Sequence, residues 1–303
     1  MKKSIQGSIC LLCGTVIWGS AFVAQSAGME RVGPFTFQAA RCLLAVLSLC
    51  VLILLSDKKN GNLSGFFSGF ADFRLWKSGV ICGAALFAAS SLQQLGLVDT
   101  DAGKAGFLTA MYIVLVPILG LFLGKKPGWN GVLSLFPAVA GLYLLSCAGG
   151  TTVQTGDILL LGAAVGFAVQ ILMIDRFAAG LDALRMNAVQ CLVCGVLSVI
   201  AMAASEKPVL QDVLASWLPI GYAGVLSMGV AYSLQIFGQQ RLNPTASALL
   251  MSLESVFAAL SGWLILHESM TAAELCGCAL VFAAVILSQL PLSRREKARA
   301  SCK

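Results

Sequence analysis

Apolar residues run in blocks of about 20 along this chain, and the polar residues fall in short clusters between them. Ten blocks stand out, at roughly 8–27, 35–56, 77–97, 102–123, 130–147, 157–175, 183–203, 216–239, 245–266 and 272–290. A helix rises 1.5 Å per residue, so each block is long enough for the roughly 30 Å hydrocarbon core of a bilayer. Lipid offers a backbone no hydrogen-bond partners, so each block is predicted to be a helix. The expected fold class is an all-α integral membrane protein of ten transmembrane helices.

The pattern also repeats. Shifted by 142 residues without a gap, the first half lies over the second: SSLQQLG at Ser90–Gly96 meets YSLQIFG at Tyr232–Gly238. Identities include Gly79/Gly221, Ser91/Ser233, Gln93/Gln235, Gly96/Gly238, Leu108/Leu250, Val114/Val256 and Leu145/Leu287. Each copy holds five blocks. Five is odd, so the second copy must enter the membrane upside down, giving two inverted five-helix repeats. Inverted repeats of this kind belong to transporters that alternate between mirror-related states. The halves expected are residues 5–147 and 156–290, with 291–303 as a basic cytoplasmic tail.

Composition supports the lipid environment. Hydrophobic residues make up 58% of the 303 residues and charged residues 11%, against about 25% charged in soluble domains. The charges then set the orientation. With the N-terminus inside, the cytoplasmic segments carry 16 Lys and Arg and the outer segments carry 3 (Arg31, Lys104 and Lys207), with Arg41 inside a span. The positive-inside rule selects this topology, with both termini cytoplasmic in a multi-pass protein of the cytoplasmic membrane.

Several features have a competing reading. The basic tail after Pro291 is read as an inside anchor in preference to a nucleic-acid patch. Lys2 and Lys3 before an apolar stretch mimic a signal peptide, but the matching block in the second repeat is internal, so an uncleaved span is expected. Cys10/Cys13, Cys191/Cys194 and Cys276/Cys278 lie in or beside spans, where Cys acts as a small packing residue. No metal site or cofactor is expected, since zinc needs four converging ligands and His267 is the one His. In the loop 57–76, the spacing of Phe66, Phe70 and Phe73 predicts a short amphipathic helix on the cytoplasmic leaflet. The GxxxG pairs Gly79/Gly83, Gly120/Gly124 and Gly162/Gly166 are read as helix contacts.

These residues resemble a known family. IWGSAF at Ile17–Phe22, Pro34 followed by Arg41, KAGFLTAMYIVLVPILGLFLGKK at Lys104–Lys126 and NPTASALLMSLESVFAALSGWLILHE at Asn243–Glu268 are similar to signatures of the drug/metabolite transporter superfamily. The match is to its ten-helix branch with two EamA-type repeats. Two departures are Lys125-Lys126 where an acidic end is common, and Ser255 where a proline is common. The resemblance implies a secondary transporter, with the fifth and tenth spans peripheral and the other eight lining a central cavity. Its cargo would be a small metabolite, an amino acid or a drug-like compound, and export is the expected direction. A receptor or scaffold and an intramembrane enzyme are the alternatives, the latter lacking a clustered catalytic set.

Candidate residues follow from depth and symmetry. Glu254 sits near the middle of its span, where a carboxylate costs about 2.5–3.5 kcal/mol on insertion scales. It must be protonated, paired or facing water, so it is either a proton or cation site or a packing hydrogen bond. Tyr112 is its counterpart in the first repeat, able to bond Glu254 or the substrate, or simply to fill the core. Trp18 is central where Trp prefers interfaces, as a cavity wall or as packing. Arg41 lies about two turns into its span, to read an anionic group or to snorkel outward. Gln93 with Ser91, and Gln235 with Ser233, form matching polar patches expected at opposite mouths, as gates or as interhelical bonds. Asp99 and Asp101 flank the fourth span, with Asp101 the expected N-cap, and Asn243-Pro244 starts the ninth. His267 and Glu268 are expected to be solvated or capping. The expected partners are a small-molecule substrate, the lipid bilayer and protons as coupling ion. A second copy of the chain stays open, and no nucleic acid is expected.

Overall fold

Ten apolar helical segments among the described residues form the bundle, and the way they touch obeys a two-fold rule. The computed structural model describes residues 2–59, 65–100, 102–125, 127–146, 154–265 and 270–289. The first repeat is built from α1 (Lys2–Met29), α2 (Pro34–Lys59), the one-turn α3 (Gly65–Gly69), α4 (Phe73–Val98), α5 (Ala102–Ala110), α6 (Tyr112–Phe122) and α7 (Trp129–Ser146). The second comprises α8 (Thr155–Phe177), α9 (Ala183–Ser205), the short α10 (Leu210–Ala215), α11 (Trp217–Gly221) and a π-helical stretch Tyr222–Ala231. It continues through α12 (Tyr232–Gln239), α13 (Pro244–Met251), α14 (Leu253–Ile265) and α15 (Ala272–Gln289). Among the described residues, eight spans are long and apolar enough to cross a membrane, and Trp129–Leu145 and Ala272–Ser288 are shorter apolar helices. This is the expected ten-helix all-α membrane protein.

Neighbours pair as an inverted repeat requires. α4 packs on α8 as α12 packs on α1. α4 packs on α9 as the π-helical stretch packs on α2, and α5 and α6 meet α8 as α13 and α14 meet α1. α2 with α9, and α7 with α15, are each their own counterpart. Two glycine contacts give the rule in atoms. A Cβ on Gly96 would stand 2.7 Å from Leu160 Cγ and 2.8 Å from the Gly156 carbonyl. One on Gly238 would stand 2.7 Å from Leu11 Cγ and 2.9 Å from the Gly7 carbonyl. Gly7 and Gly156 lie 149 positions apart while Gly96 and Gly238 lie 142 apart, so the first repeat is seven residues longer between its second and third spans. Gly141 and Gly277 make a close approach between α7 and α15.

Polarity runs inside out. Leu47, Leu55, Phe122, Phe136, Ile158 and Ile286 are exposed and form a lipid-facing surface, while Gln38, Gln170, Asn187, Gln190 and Ser247 are fully buried. Two acids clasp α2 to α9 at opposite ends. Asp57 accepts two bonds from Arg185 Nη2, at 2.7 and 2.9 Å. Glu206 accepts from the backbone N–H groups of Phe35 and Thr36, both at 2.8 Å, and from Thr36 Oγ1 at 2.5 Å. Asp57 and Glu206 are equivalent under the 149-residue offset, as are Thr36 and Arg185.

Some expectations are revised. The helix described in the 57–76 loop is a single turn, and Phe66 and Phe70 pack partly buried against the protein core, while Phe73 is exposed. Trp76 Nε1 donates to the Phe70 carbonyl at 2.7 Å and folds the loop inward. Gly79 and Gly83 do mark a tight contact, against Val189 and Val193. Gly124 does not: it has φ 73° and ends α6 in the left-handed conformation that favours glycine. Asn243 caps α13 by accepting from the Ala246 N–H at 2.8 Å, with Pro244 at the first turn. Asp99 lies at the end of α4. Asp101, Lys126, His267, Glu268 and the basic tail lie outside the described residues.

Candidate functional site: the cavity between the repeats

The fourth and ninth spans are both interrupted near their centres. α5 gives way to α6 at Met111 and α13 to α14 at Ser252. The backbone tightens at both places: the Met111 N–H bonds the Leu108 carbonyl and the Ser255 N–H bonds the Ser252 carbonyl, three residues back. Proline is absent at 255, and Ser255 instead sends its hydroxyl to the Gly106 carbonyl on α5, at 2.9 Å. That bond ties the two broken spans where they cross. Broken helices at the midplane are where transporters of inverted-repeat design place their sites.

Tyr112 and Glu254 open the second halves of these two spans. The Tyr112 hydroxyl donates to Glu254 Oε1 at 3.0 Å. Both are buried, at 4% and 7% exposure. They face one cavity lined by residues of both repeats. Trp18, Arg41, Gln93 and Gln235 line the same cavity. Six of the sequence-predicted residues therefore meet at one place.

Their contacts are specific. Trp18 stands edge-on to Tyr232, ring centroids 5.0 Å apart, and its indole N–H has no partner. Arg41 is 3% exposed, so it does not snorkel. Its Nη1 donates to Gln25 Oε1 at 2.5 Å, and the Phe37 ring centroid lies 5.7 Å from its Cζ. Arg41 Nε has no partner. Gln93 donates to Thr109 Oγ1 at 3.4 Å and Gln235 to Gln170 Oε1 at 3.1 Å.

The arrangement of the two polar patches differs from expectation. Gln93 and Gln235 reach one central cavity, not two separate mouths, because each turns inward from its helix. Ser91 and Ser233 do not line it. Ser91 accepts from Gln38 Nε2 at 3.3 Å, and Ser233 accepts from Asn187 Nδ2 at 3.0 Å. These are equivalent bonds between the second and third spans of each repeat, and they hold helices together.

Other lining residues follow a pattern that depth alone does not reveal. Trp18, Phe22 and Gln25 recur at i, i+4 and i+7 on α1, and Met228, Tyr232 and Gln235 do so on the eighth span. Ten of the lining residues fall into five symmetry pairs: Trp18/Phe167 and Phe22/Ile171 at the 149 offset, and Gln93/Gln235, Thr109/Met251 and Tyr112/Glu254 at 142. The helical spacing from Trp18 is the signal that would have found Phe22 and Gln25. Among the described residues the fifth and tenth spans contribute no lining side chain, as the resemblance implied, but neither does α9.

α9 acts one layer further out. Gln235 donates to Gln170, Gln170 Nε2 to Gln190 Oε1 at 3.4 Å, and Gln190 Nε2 to Asn187 Oδ1 at 3.3 Å. Asn187 Nδ2 then donates to the carbonyls of Met228 and Gly229 at 2.9 and 3.0 Å. Those carbonyls sit in the π-helical stretch, where the wider turn disturbs the regular α-helical ladder. The chain of amides thus links the cavity wall to the shape of the eighth span. Among the described residues no group of three or more His, Cys, Asp or Glu converges to hold a metal.

The comparisons with known proteins bear on this architecture. The profile of the EamA-like transporter family matches residues 5–147 and 154–290. The chain belongs to that family. It is 29% identical over 293 residues to an uncharacterized transporter of Archaeoglobus fulgidus, covering 95% of this chain and 87% of that one. It is 32% identical over 166 residues to the threonine/homoserine exporter of Salmonella typhimurium, covering 53% of this chain and 55% of that one. A crystal structure of a protein 20% identical shares the fold, with TM-score 0.78, over 95% of this chain and 98% of the other. Family and relatives place this EamA protein in the drug/metabolite transporter superfamily, as a multi-pass membrane transporter.

Proposed function

We propose that this EamA protein is a secondary transporter of the cytoplasmic membrane that exports a small metabolite, amino acid or drug-like compound by alternating access. The observation that carries this reading is the Tyr112–Glu254 bond. It joins symmetry-equivalent residues at the interruptions of two spans, inside a cavity built from both repeats. Residues 5–147 and 156–290 are the two halves that rock about this point, and the tail 291–303 anchors the cytoplasmic face. Gln93 and Gln235, one from each half, contact the substrate from opposite walls and part when their half swings away. Glu254 carries the coupling proton, since a midplane carboxyl has a reason to exchange its proton with whichever face is open. The chain has no nucleotide-binding loop, so an ion gradient or the substrate's own gradient drives it. The exporter of Salmonella typhimurium supports the direction.

The test is a thermal-shift screen of purified protein against amino acids, nucleobases, polyols and organic cations, because a ligand of the folded state raises its stability. Each stabilising compound is then offered, labelled, to proteoliposomes preloaded with the unlabelled compound. Exchange faster than in protein-free liposomes, without ATP, is the expected result. Exchange that matches protein-free liposomes for every stabilising compound would overturn the reading.

A further inference from the structure

A second cavity lies away from the central one, at the end of the bundle where the α1–α2 and α9–α10 connections meet. Arg31, Glu206, Lys207 and Asp212 line it. The ion pairs among the described residues, Lys104–Asp157, Lys125–Asp175 and Arg185 with Asp57 and Asp182, involve none of these four. Glu206 is nevertheless engaged, since its two oxygens take the N–H groups of Phe35 and Thr36 and the Thr36 hydroxyl. Gly33 lets it sit there: a Cβ at that position would stand 2.4 Å from the Glu206 carboxyl carbon. Two exposed cations, Arg31 and Lys207, and one half-buried acid, Asp212, are left to meet a ligand.

Beside these charges the surface is apolar. Leu210 and Leu214 on α10 and Trp217 at the start of α11 are 72%, 62% and 69% exposed. Their i, i+4, i+7 spacing puts them on one side of the chain, and Asp212, two residues from either leucine, falls on another. Val213 docks α10 on the cluster of Val32, Phe37, Ile220 and Ala223. At 6 residues α10 is far too short to be a span. A helix with an exposed apolar side and charges beside it lies at the boundary between headgroups and acyl chains, and Trp is enriched at that depth. The free charges of the cavity therefore stand at the level of lipid phosphates, with the leucines facing the acyl chains.

We propose that this cavity is a headgroup site for a phospholipid bearing a primary ammonium, of the phosphatidylethanolamine type. Its phosphodiester pairs with Arg31 and Lys207, its ammonium with Asp212, and its chains run along Leu210, Leu214 and Trp217. A guanidinium suits the phosphate because its N–H donors meet two oxygens at once. The ammonium has N–H donors for the Asp212 carboxylate, and the trimethylated headgroup of a phosphatidylcholine has none. A phosphatidylglycerol satisfies the two cations but leaves Asp212 without a counter-charge. The lipid would bridge the α1–α2 connection of one repeat and the α9–α10 connection of the other. Under the orientation set by the charges, it belongs to the outer leaflet.

Lipid titration tests this without a known substrate. Purified full-length protein in detergent is titrated with dioleoyl phosphatidylethanolamine, phosphatidylcholine and phosphatidylglycerol, and the bound lipids are read by native mass spectrometry. One phosphatidylethanolamine should bind about tenfold more tightly than either of the others, the ratio expected for one charge-assisted hydrogen bond. Asp212→Asn should bring phosphatidylethanolamine down to the affinity of phosphatidylcholine and leave phosphatidylcholine unchanged. Arg31→Gln with Lys207→Gln should weaken all three lipids. Glycerophosphoethanolamine, the same headgroup without chains, should bind much more weakly than the lipid. Equal binding of phosphatidylethanolamine and phosphatidylcholine by the wild type would overturn the proposal, whether or not any variant folds. Tightest binding of phosphatidylglycerol would overturn the ammonium contact, and a preference that survives Asp212→Asn would do the same. Glycerophosphoethanolamine binding as tightly as the lipid would make this a site for soluble phosphate esters and remove the lipid. No readout involves transport, so the proposal and the transporter reading stand or fall separately.

Discussion

Replacing Glu254 by Gln separates structure from coupling. The amide has the same length and its oxygen can accept the Tyr112 hydroxyl, now 3.0 Å from the carboxylate. A hydrogen bond of this kind contributes about 0.5–1.5 kcal/mol net, and interhelical bonds in a membrane average about 0.6 kcal/mol. Loss of stability should therefore stay within about 1 kcal/mol. Coupling behaves differently. One proton moved down a gradient of one pH unit supplies about 1.4 kcal/mol, enough for about a tenfold concentration ratio. Glu254→Gln has no proton to exchange, so its ratio should fall to about one. Exchange of labelled for unlabelled substrate should persist at saturating concentration, because exchange needs no net proton movement. Glu254→Asp should keep part of both activities, the carboxylate retracting by one methylene. The assay is uptake into proteoliposomes with and without a pH gradient, using a substrate found by thermal shift. Gradient-driven accumulation by Glu254→Gln at the wild-type ratio would refute the role assigned to Glu254.

Further predictions address packing and topology. Gly238→Ala places a methyl 2.7 Å from Leu11 Cγ and 2.9 Å from a backbone carbonyl, so thermal unfolding should show a loss of about 1–3 kcal/mol. At Gly221 a Cβ meets nothing within 4 Å, and Gly221→Ala should be neutral or stabilising by up to about 1 kcal/mol in the same assay. Asn187→Ala removes the donor to two buried carbonyls and to Ser233, and should cost about 1–3 kcal/mol in thermal unfolding. The charge asymmetry predicts that a membrane-impermeant thiol reagent reaches Cys302 from the cytoplasm alone, once the other cysteines are replaced. Its labelling in intact cells would reverse the topology.

The chain's own pattern determined the solvent, the number and order of the spans, the duplication and the cap at Asn243. Those features depend on local hydropathy and on a backbone that must satisfy itself in lipid, so they can be read residue by residue. The duplication also carried information across distance, and it placed Tyr112 opposite Glu254 before any contact was known. Tertiary structure decided which faces those helices turn inward. Ser91 and Ser233 share the register of Gln93 and Gln235, yet they point to neighbouring helices, since residues two apart on a helix face different directions. The change of offset from 142 to 149 hid the pairs Trp18/Phe167 and Phe22/Ile171. The amide chain from Gln235 to Asn187 joins three spans and leaves no local mark in the sequence. Arg41 and Glu254 came into one cavity only through the packing of helices from opposite repeats, an arrangement that hydropathy does not specify because every span is apolar enough to pack beside any other.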